Sequence, residues 1–336
     1  MTKSYAVSLA DVQEAAKRIS GHAHVTPVMT CGTLDDIASA GAATPRKLFF
    51  KCENLQKVGA FKFRGAYNAI SQIPEDQRWK GVVTQSSGNH AQAVALTCKL
   101  LGIKATIVMP HTAPKAKVNG VIGYGGKIVH CEPTKESRDQ TAQKIVDETG
   151  AIFIHPFENP HVMAGQGTLM LELLTQTQSL GTQLDAAIVP CGGGGMLSGT
   201  AVAGKGIQKD LKVFGAEPEN VDDCKRSFKR GVKLLQHEAS GKTIADGLMT
   251  VIGEPNWEVI RDYVDDVFSV TEEQIVEAMR LVWERMKVII EPSAAVGVAV
   301  ALFNEDFKKL EVENVGIVFT GGNLDLGVPL PWVSRL

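Results

Sequence analysis

Gly81-Val-Val-Thr84, Ala105-Thr-Ile-Val-Met109, Lys127-Ile-Val129 and Ala151-Ile-Phe-Ile154 are four short apolar runs, each the length of a buried strand. Between them lie residues 89–101, 114–122 and 135–148, which read as helices. A strand that returns parallel to its predecessor needs a crossover of about this length. The alternation therefore predicts a parallel sheet with helices packed on it.

The rhythm extends in both directions. Upstream, residues 11–19 place Val12, Ala15, Ala16 and Ile19 on one helical face, His24-Val-Thr-Pro-Val28 interrupts, and Leu48-Phe-Phe-Lys-Cys52 is another buried strand. Downstream come a helix over residues 167–177, the strand Asp185-Ala-Ala-Ile-Val-Pro190, a glycine run, a helix ending at Ile207 and the strand Lys212-Val-Phe-Gly-Ala216. Helices over residues 272–286 and 293–303 precede a last strand over residues 314–319. No internal repeat or low-complexity tract divides the chain. The expected architecture is α/β, with two parallel-sheet domains and a ligand cleft between them at the carboxyl ends of strands.

With 336 residues, 44% hydrophobic and 21% charged, the composition is that of a globule with one large or two modest cores. A net charge of -2 provides no field for nucleic acid or an anionic membrane, so small molecules are the expected partners. Residues 1–10 carry no apolar run of signal length, and no other run is both long and uncharged, so a cytoplasmic address is expected. The 6 cysteines form no C-x-x-C pair and the 8 histidines no H-E-x-x-H set, which argues against a disulfide framework and transition-metal chemistry.

Chemistry concentrates at four junctions. Lys57-Val-Gly-Ala-Phe-Lys-Phe-Arg-Gly-Ala66 leads into a helix over residues 63–73. Rings of Phe61 and Phe63 packed on the Lys62 stem would desolvate its amine and lower its pKa, giving a nucleophile or base. The same pattern suits a lysine that only buries its stem and keeps its charge in water. Gln85-Ser-Ser-Gly-Asn-His90 gathers two hydroxyls, an amide and free helix N–H groups, which is a receptor for a carboxylate or a plain N-cap by Ser87 or Asn89.

Cys191-Gly-Gly-Gly-Gly-Met196 joins a strand to a helix and reads as a phosphate cradle. No Walker G-K-[ST] follows, and the third glycine of a dinucleotide fold would fall on Leu197 or Ser198. Glu217 nonetheless sits about where that fold keeps its ribose-binding acid, so a nicotinamide or flavin oxidoreductase stays open at this point. Thr320-Gly-Gly-Asn323 ends the last strand with a hydroxyl beside two permissive glycines, as a ligand group or as a turn.

In this order, Phe-Lys-x-Arg-Gly, Ser-Ser-Gly-Asn-His, Gly-Gly-Gly-Gly-Met and hydroxyl-Gly-Gly-Asn resemble the fold-type II pyridoxal phosphate enzymes, specifically the serine racemase and serine/threonine dehydratase family. The likeness runs over nearly the whole chain. It includes Thr112-Ala-Pro114, Gly165-Gln-Gly-Thr168, Ala216-Glu-Pro218, Asp222-Asp223, Thr243-Ile-Ala-Asp-Gly247, Trp283-Glu-Arg-Met-Lys287 and Glu291-Pro-Ser293. The lack of a long C-terminal regulatory domain points away from the allosteric biosynthetic threonine deaminases.

The resemblance implies a large cofactor-binding domain of residues 1–76 and 160–336 and a small mobile domain of residues 77–159. It implies that Lys62, beside Phe61, carries pyridoxal phosphate, that Gly192, Gly193, Gly194, Gly195 and Met196 cradle its phosphate, that Asn89 bonds the ring hydroxyl and Thr320 the ring nitrogen. Ser86, Ser87, Asn89 and His90 would receive the carboxylate of serine, with Arg138 reaching in on closure. A neutral hydroxyl at the ring nitrogen weakens the electron sink, so removal of the α-proton has two outcomes. Reprotonation on the other face inverts serine, and loss of the β-hydroxyl gives pyruvate and ammonia, with Lys62 and Ser87 as the two bases.

Thr320 stands where many members have serine and keeps the hydroxyl. Phe157 follows His155-Pro156 where vertebrate racemases have asparagine, and phenylalanine there is common among dehydratases. An L-serine/L-threonine dehydratase and a 3-hydroxyaspartate dehydratase or racemase are therefore alternatives, as is an idle small-molecule-binding module of the same fold. Glu217, the Val221 carbonyl and Asp223 read on spacing alone as a solvated helix N-terminus. The resemblance makes them a hard-oxygen site for Mg²⁺ or Ca²⁺. Gln92, Tyr124, Lys287 and Asn323 match residues that line an ATP-binding dimer interface in animal racemases, with Val58 replacing a polar neighbour. ATP activation and a homodimer are thereby implied.

Overall fold

The structure is a computed structural model that describes residues 4–333. Residues 1–3, the start of the stretch read above as free of a signal segment, and residues 334–336 lie outside the described residues. Its strands are β1 (Val28–Met29), β2 (Lys47–Cys52), β3 (Val82–Gln85), β4 (Ala105–Pro110), β5 (Lys127–Cys131), β6 (Ile152–Phe153), β7 (Ala186–Pro190), β8 (Lys212–Pro218), β9 (Asp266–Val270) and β10 (Asn314–Phe319). One sheet has the order β1-β2-β10-β7-β8-β9 and is parallel except for the β1–β2 pair. The other, β5-β4-β3-β6, is parallel throughout.

The helices are α1 (Leu9–Ile19), α2 (Gly32–Ser39), α3 (Lys62–Ile70), α4 (Asn89–Leu101), α5 (Lys115–Gly123), α6 (Lys135–Thr149), α7 (Pro160–Ser179), α8 (Gly195–Ile207), α9 (Asp223–Arg230), α10 (Glu254–Tyr263), α11 (Glu272–Met286), α12 (Pro292–Phe303) and α13 (Glu305–Lys308). The runs of β2, β7 and β10 are apolar almost without interruption because both faces of their sheet are covered. Residues of α2, α11 and α12 form the core on one face, and residues of α1, α7, α8 and α10 on the other. The smaller sheet packs against α3 and α4 on one side and α6 on the other.

Several boundaries differ from the sequence reading. The helix expected over residues 167–177 begins at Pro160, because Pro160 occupies the first helical turn and Asn159 accepts from the amides of His161 and Val162. The glycines of this helix admit close neighbours. The backbone of α3 reaches α7 at Gly65 and Gly165, where a Cβ on Gly165 would lie 2.6 Å from the Gly65 Cα. Helix α3 itself stops at Ile70 rather than Ile73, since residue 73 precedes Pro74 and is biased out of the helical region. The helices α2 and α9, of eight residues each, and α10 with its leading Gly253-Glu254-Pro255 were not expected from sequence.

Gly165→Ala should lower the unfolding free energy by about 1–3 kcal/mol, since the added methyl meets backbone atoms that cannot swing aside. Gly123→Ala, at an open position near the end of α5, should be close to neutral. Urea denaturation of the two variants checks the difference.

Candidate active site

Strands β2, β10 and β7 are neighbours, and the chain leaves their carboxyl ends toward Lys62, Thr320 and the glycine run respectively. The loop before Lys62 is strapped to the segment after β10. Phe61 N–H donates to the Thr320 carbonyl at 3.0 Å, Gly322 N–H donates to the Gly59 carbonyl at 3.0 Å, and Ala60 bridges Gly321. From the other sheet, β3 delivers Ser86–His90 to the opposite wall. A cleft of about 440 Å³ lies between them.

Lys62 keeps part of its surface open to this cleft, but enough protein surrounds the amine that burial brings its pKa down to about 8. Its Nζ donates to the Pro156 carbonyl at 2.9 Å and sits 5.0 Å from the centre of the Phe61 ring. The expected packing between two rings is corrected. Phe63, one residue on and about 100° around the helix, turns into the core beside Tyr67 and carries the Lys57 amine instead. The snorkelling alternative also fails, because the amine donates inside the protein.

The next turn of α3 anchors the lysine. Arg64 is fully buried and donates to both oxygens of Glu53 at 2.7 and 2.8 Å and to both oxygens of Glu172 at 2.7 and 2.8 Å. Lys51 of β2, also fully buried, donates to Glu172 at 2.7 Å. Two cations and two carboxylates thus tie β2, α3 and α7 together below the cleft.

On the facing wall, α4 has Gly88 as its N-cap and no side-chain cap, which removes the reading of Ser87 or Asn89 as simple caps. Ser86 Oγ accepts from the Gly88 amide at 3.2 Å, while Ser87 lines the cleft and makes no hydrogen bond among the described residues. His90 differs from its expected part. Its Nε2 meets the Ile154 carbonyl at 3.3 Å and burial drives its pKa down to about 3, so the ring is neutral and bonded inward. What His90 offers a carboxylate is its backbone N–H in the first turn of α4. Arg138, near the start of α6, lines the cleft.

Asn89 is held from two sides. Its amide donates to Glu291 Oε1 at 2.9 Å, and its oxygen accepts from Asn323 Nδ2 at 2.8 Å. Asn323 also donates to the Val58 carbonyl at 2.7 Å, steadying a valine at φ 59°, a conformation β-branched residues rarely adopt. Glu291 is buried, and burial with nearby Asp246 raises its pKa to about 8. Sequence reasoning quoted Glu291 only within a matching stretch, since an acid before Pro292 gives no hint of a partner 202 positions away.

At the glycine run, Gly194 has φ 88°, and a Cβ on Gly192, Gly193 or Gly195 would lie 3.0, 2.3 or 2.8 Å from Leu248, Phe157 and the Phe157 carbonyl. The amides of Gly192, Gly193 and Gly194 find no acceptor among the described residues, and Gly195 and Met196 open α8 with amides that have no helical partner. Asn256, missed in sequence because α10 was, donates to the Gly193 carbonyl at 2.6 Å and to the Phe157 carbonyl at 3.1 Å. It turns that peptide so its neighbours' amides face the cleft. The Thr320 hydroxyl is buried without a partner.

Glu217 and Asp223 are both buried, so the solvated-terminus reading is overturned. Glu217 accepts from the amides of Cys224 at 3.1 Å and Lys225 at 2.8 Å, while Asp223 accepts from Ile252 at 2.9 Å and faces His237 Nδ1 at 3.1 Å. Burial raises Glu217 well above the usual carboxylate range and Asp223 to about 6. A Glu217 locked this way is not free to reach a ribose. Of the four residues matched to a nucleotide site, Asn323 belongs to the Asn89 network, Gln92 packs at Gly120 of α5, Tyr124 caps α5, and Lys287 is exposed at the end of α11.

Glycine amides for a phosphate, a lysine of lowered pKa and a partnerless hydroxyl define a pyridoxal phosphate site. The pyridoxal-phosphate dependent enzyme family matches residues 19–321, and the chain belongs to that family. It is 47% identical over 340 residues to a serine racemase of Homo sapiens, covering 100% of this chain and 96% of that one. A serine racemase of Dictyostelium discoideum is 46% identical over 95% of this chain and 96% of its own length. A solved maize serine racemase superposes with a TM-score of 0.90 at 44% identity, covering 98% and 97% of the two chains.

The residues present fit the cofactor: the Thr320 oxygen lacks a partner among the described residues, the cradle positions leave no room for side chains, and the Lys62 amine of lowered pKa has the chemistry to attach it. Lowering the pKa to about 8 makes the neutral amine available at lower pH than for an ordinary lysine. Covalent capture of pyridoxal phosphate by stripped protein should therefore speed up through pH about 8 and then level off. Stopped-flow absorbance against pH checks this, and a rate still climbing where free lysine titrates would contradict it.

Proposed function

We propose that the protein interconverts L- and D-serine and dehydrates serine to pyruvate and ammonia at the same site. The half-buried Lys62 amine, drawn down to about 8 between the glycine cradle and the Ser86–His90 loop, is the observation that carries this reading. Relatives matched over the full chain support serine as the substrate.

When bound, pyridoxal phosphate withdraws electrons from the substrate α-carbon, which acidifies the α-proton and loosens the β-hydroxyl. Lys62, whose lowered pKa of about 8 leaves a larger neutral fraction than an ordinary lysine has, takes the α-proton on its face and can return a proton to the departing hydroxyl. Ser87, whose hydroxyl makes no hydrogen bond among the described residues, serves the other face. The Ser86 and Ser87 hydroxyls with the amides of Asn89 and His90 hold the carboxylate, and Arg138 adds its charge as residues 77–159 close over the rest. Asn89, fixed by Glu291 and Asn323, keeps a second amide proton for the ring oxygen. The Phe157 ring packs against Gly193, and phenylalanine at this place, common among dehydratases, supports dehydration alongside racemisation.

The reading extends to Mg²⁺ or Ca²⁺ at Glu217, the Val221 carbonyl and Asp223, since a cation would relieve two buried carboxylates whose pKa values burial has raised. ATP as an activator and a homodimer rest on the resemblance at Gln92, Tyr124, Lys287 and Asn323. A cytoplasmic address is supported by six cysteines that are all free. Among the described residues no helix is long and apolar enough to cross a membrane.

Ser87→Ala should abolish racemisation in both directions and D-serine dehydration, while L-serine dehydration survives. Substrate binding should weaken by about 1 kcal/mol, the worth of one neutral hydrogen bond. Chiral chromatography with a pyruvate assay checks this, and retained D-serine formation would assign the second face to another group. Mg²⁺ at about 100 times its Kd should stabilise the wild type by about 2.7 kcal/mol but leave Asp223→Ala unmoved. Thermal melts with and without chelator read the difference.

A further inference from the structure

Strands β7 and β8 lie side by side with Pro190 opposite Ala216, so their carboxyl ends set Cys191 next to Glu217. The first turn of α9 adds Cys224, whose amide donates to Glu217 at 3.1 Å. The two Sγ atoms and a Glu217 oxygen all lie within 4.8 Å of one another, and all three residues are buried. Among the described residues Glu217 makes no ion pair, and the Cys191 thiol meets the Gly192 carbonyl at 3.5 Å and the Cys224 thiol.

We propose that Cys191, Cys224 and Glu217 form a binding site for a thiophilic divalent cation of the zinc and cadmium class. Two sulfurs and one oxygen are the donor set such ions prefer over Mg²⁺ or Ca²⁺. Tetrahedral zinc with bonds of about 2.3 Å to sulfur places its donors about 3.7 Å apart, so closing this trio takes a shift of at most about 1 Å. Both thiols lose their protons to solvent, two S–H bonds give way to two sulfur–metal bonds, and no electron changes hands. Three protein donors leave a fourth position for water.

The place gives the ion a consequence. Cys191 directly precedes the cradle at Gly192, and Glu217 is central to the hard-cation reading. A thiophilic ion therefore competes with Mg²⁺ for one carboxylate while pulling on the strand that presents the phosphate site. The inference does not depend on the hard-cation reading, because its signal is the sulfur–metal bond.

Titrating the cofactor-loaded full-length protein with Cd²⁺ and recording the ultraviolet sulfur-to-cadmium band, with native mass spectrometry for stoichiometry, tests it. The wild type should take up an equimolar amount with a saturating band. Cys191→Val and Cys224→Ala, each checked for folding by circular dichroism, should bind at least about 10-fold more weakly, since even an outer partner's loss costs that much. Cys191→Ser keeps the volume and tests the sulfur alone, and it should lose half of the band. An unchanged band in folded Cys191→Val and Cys191→Ser, or no band in the wild type, would overturn the site. These readouts do not involve turnover, so failure of the racemase reading would leave them intact.

Discussion

Arg64 is the group on which the site depends. It is fully buried, and burying a guanidinium is costly unless every donor is met by an acceptor. Here Glu53 and Glu172 each meet it through both oxygens, and Lys51 balances the second acid. Removing one partner would strand a charge in the interior at a cost of about 3–5 kcal/mol, so the arrangement admits little slack. Lys62 lies two residues away on the same helix, and its position inherits that rigidity. Gly65 and Gly165 complete the fixture by letting α3 and α7 touch through their backbones.

Around this fixed point the parallel sheets bring chemistry together from distant parts of the chain. Adjacent strand ends present an amine, a hydroxyl and a bed of amides, and a strand of the second sheet presents the Ser86–His90 turn across the cleft. Polar bonds cross the cleft between the two walls. Asn323 bonds Asn89, Lys117 of α5 pairs with Asp246, and the Lys62 amine bonds the Pro156 carbonyl. Polar contacts of this kind exchange with substrate and water at small net cost.

Much of this was legible in the sequence, and the exceptions have physical reasons. Alternating apolar runs identified the sheets because strands covered on both faces leave an unbroken signature. Glycine runs and the Ser-Ser-Gly-Asn-His turn marked the ligand-binding junctions because few other demands require those residues at strand ends. Helix α7 was cut short at residue 167, although it begins at Pro160 and its Gly165 and Gly167 are contact points for α3 and α8. Glu291 and Asn256 were invisible because their roles are long-range hydrogen bonds, which leave no periodicity. Sequence named His90 as a carboxylate receptor without saying which of its atoms serves, since the inward turn of its ring is set by the Ile154 carbonyl of the neighbouring strand's end. The acids Glu217 and Asp223 looked solvated because burial of an N-terminal helix turn depends on segments far along the chain.

The central claim is that Lys62 and the facing loop exchange the α-proton of serine on two faces. Incubating the pyridoxal phosphate-loaded protein with L-serine in heavy water, and measuring deuterium at the α-carbon of each recovered enantiomer, tests it directly. The account predicts D-serine carrying solvent deuterium at that carbon. A coloured, cofactor-loaded protein that leaves L-serine undeuterated and unconverted would contradict it.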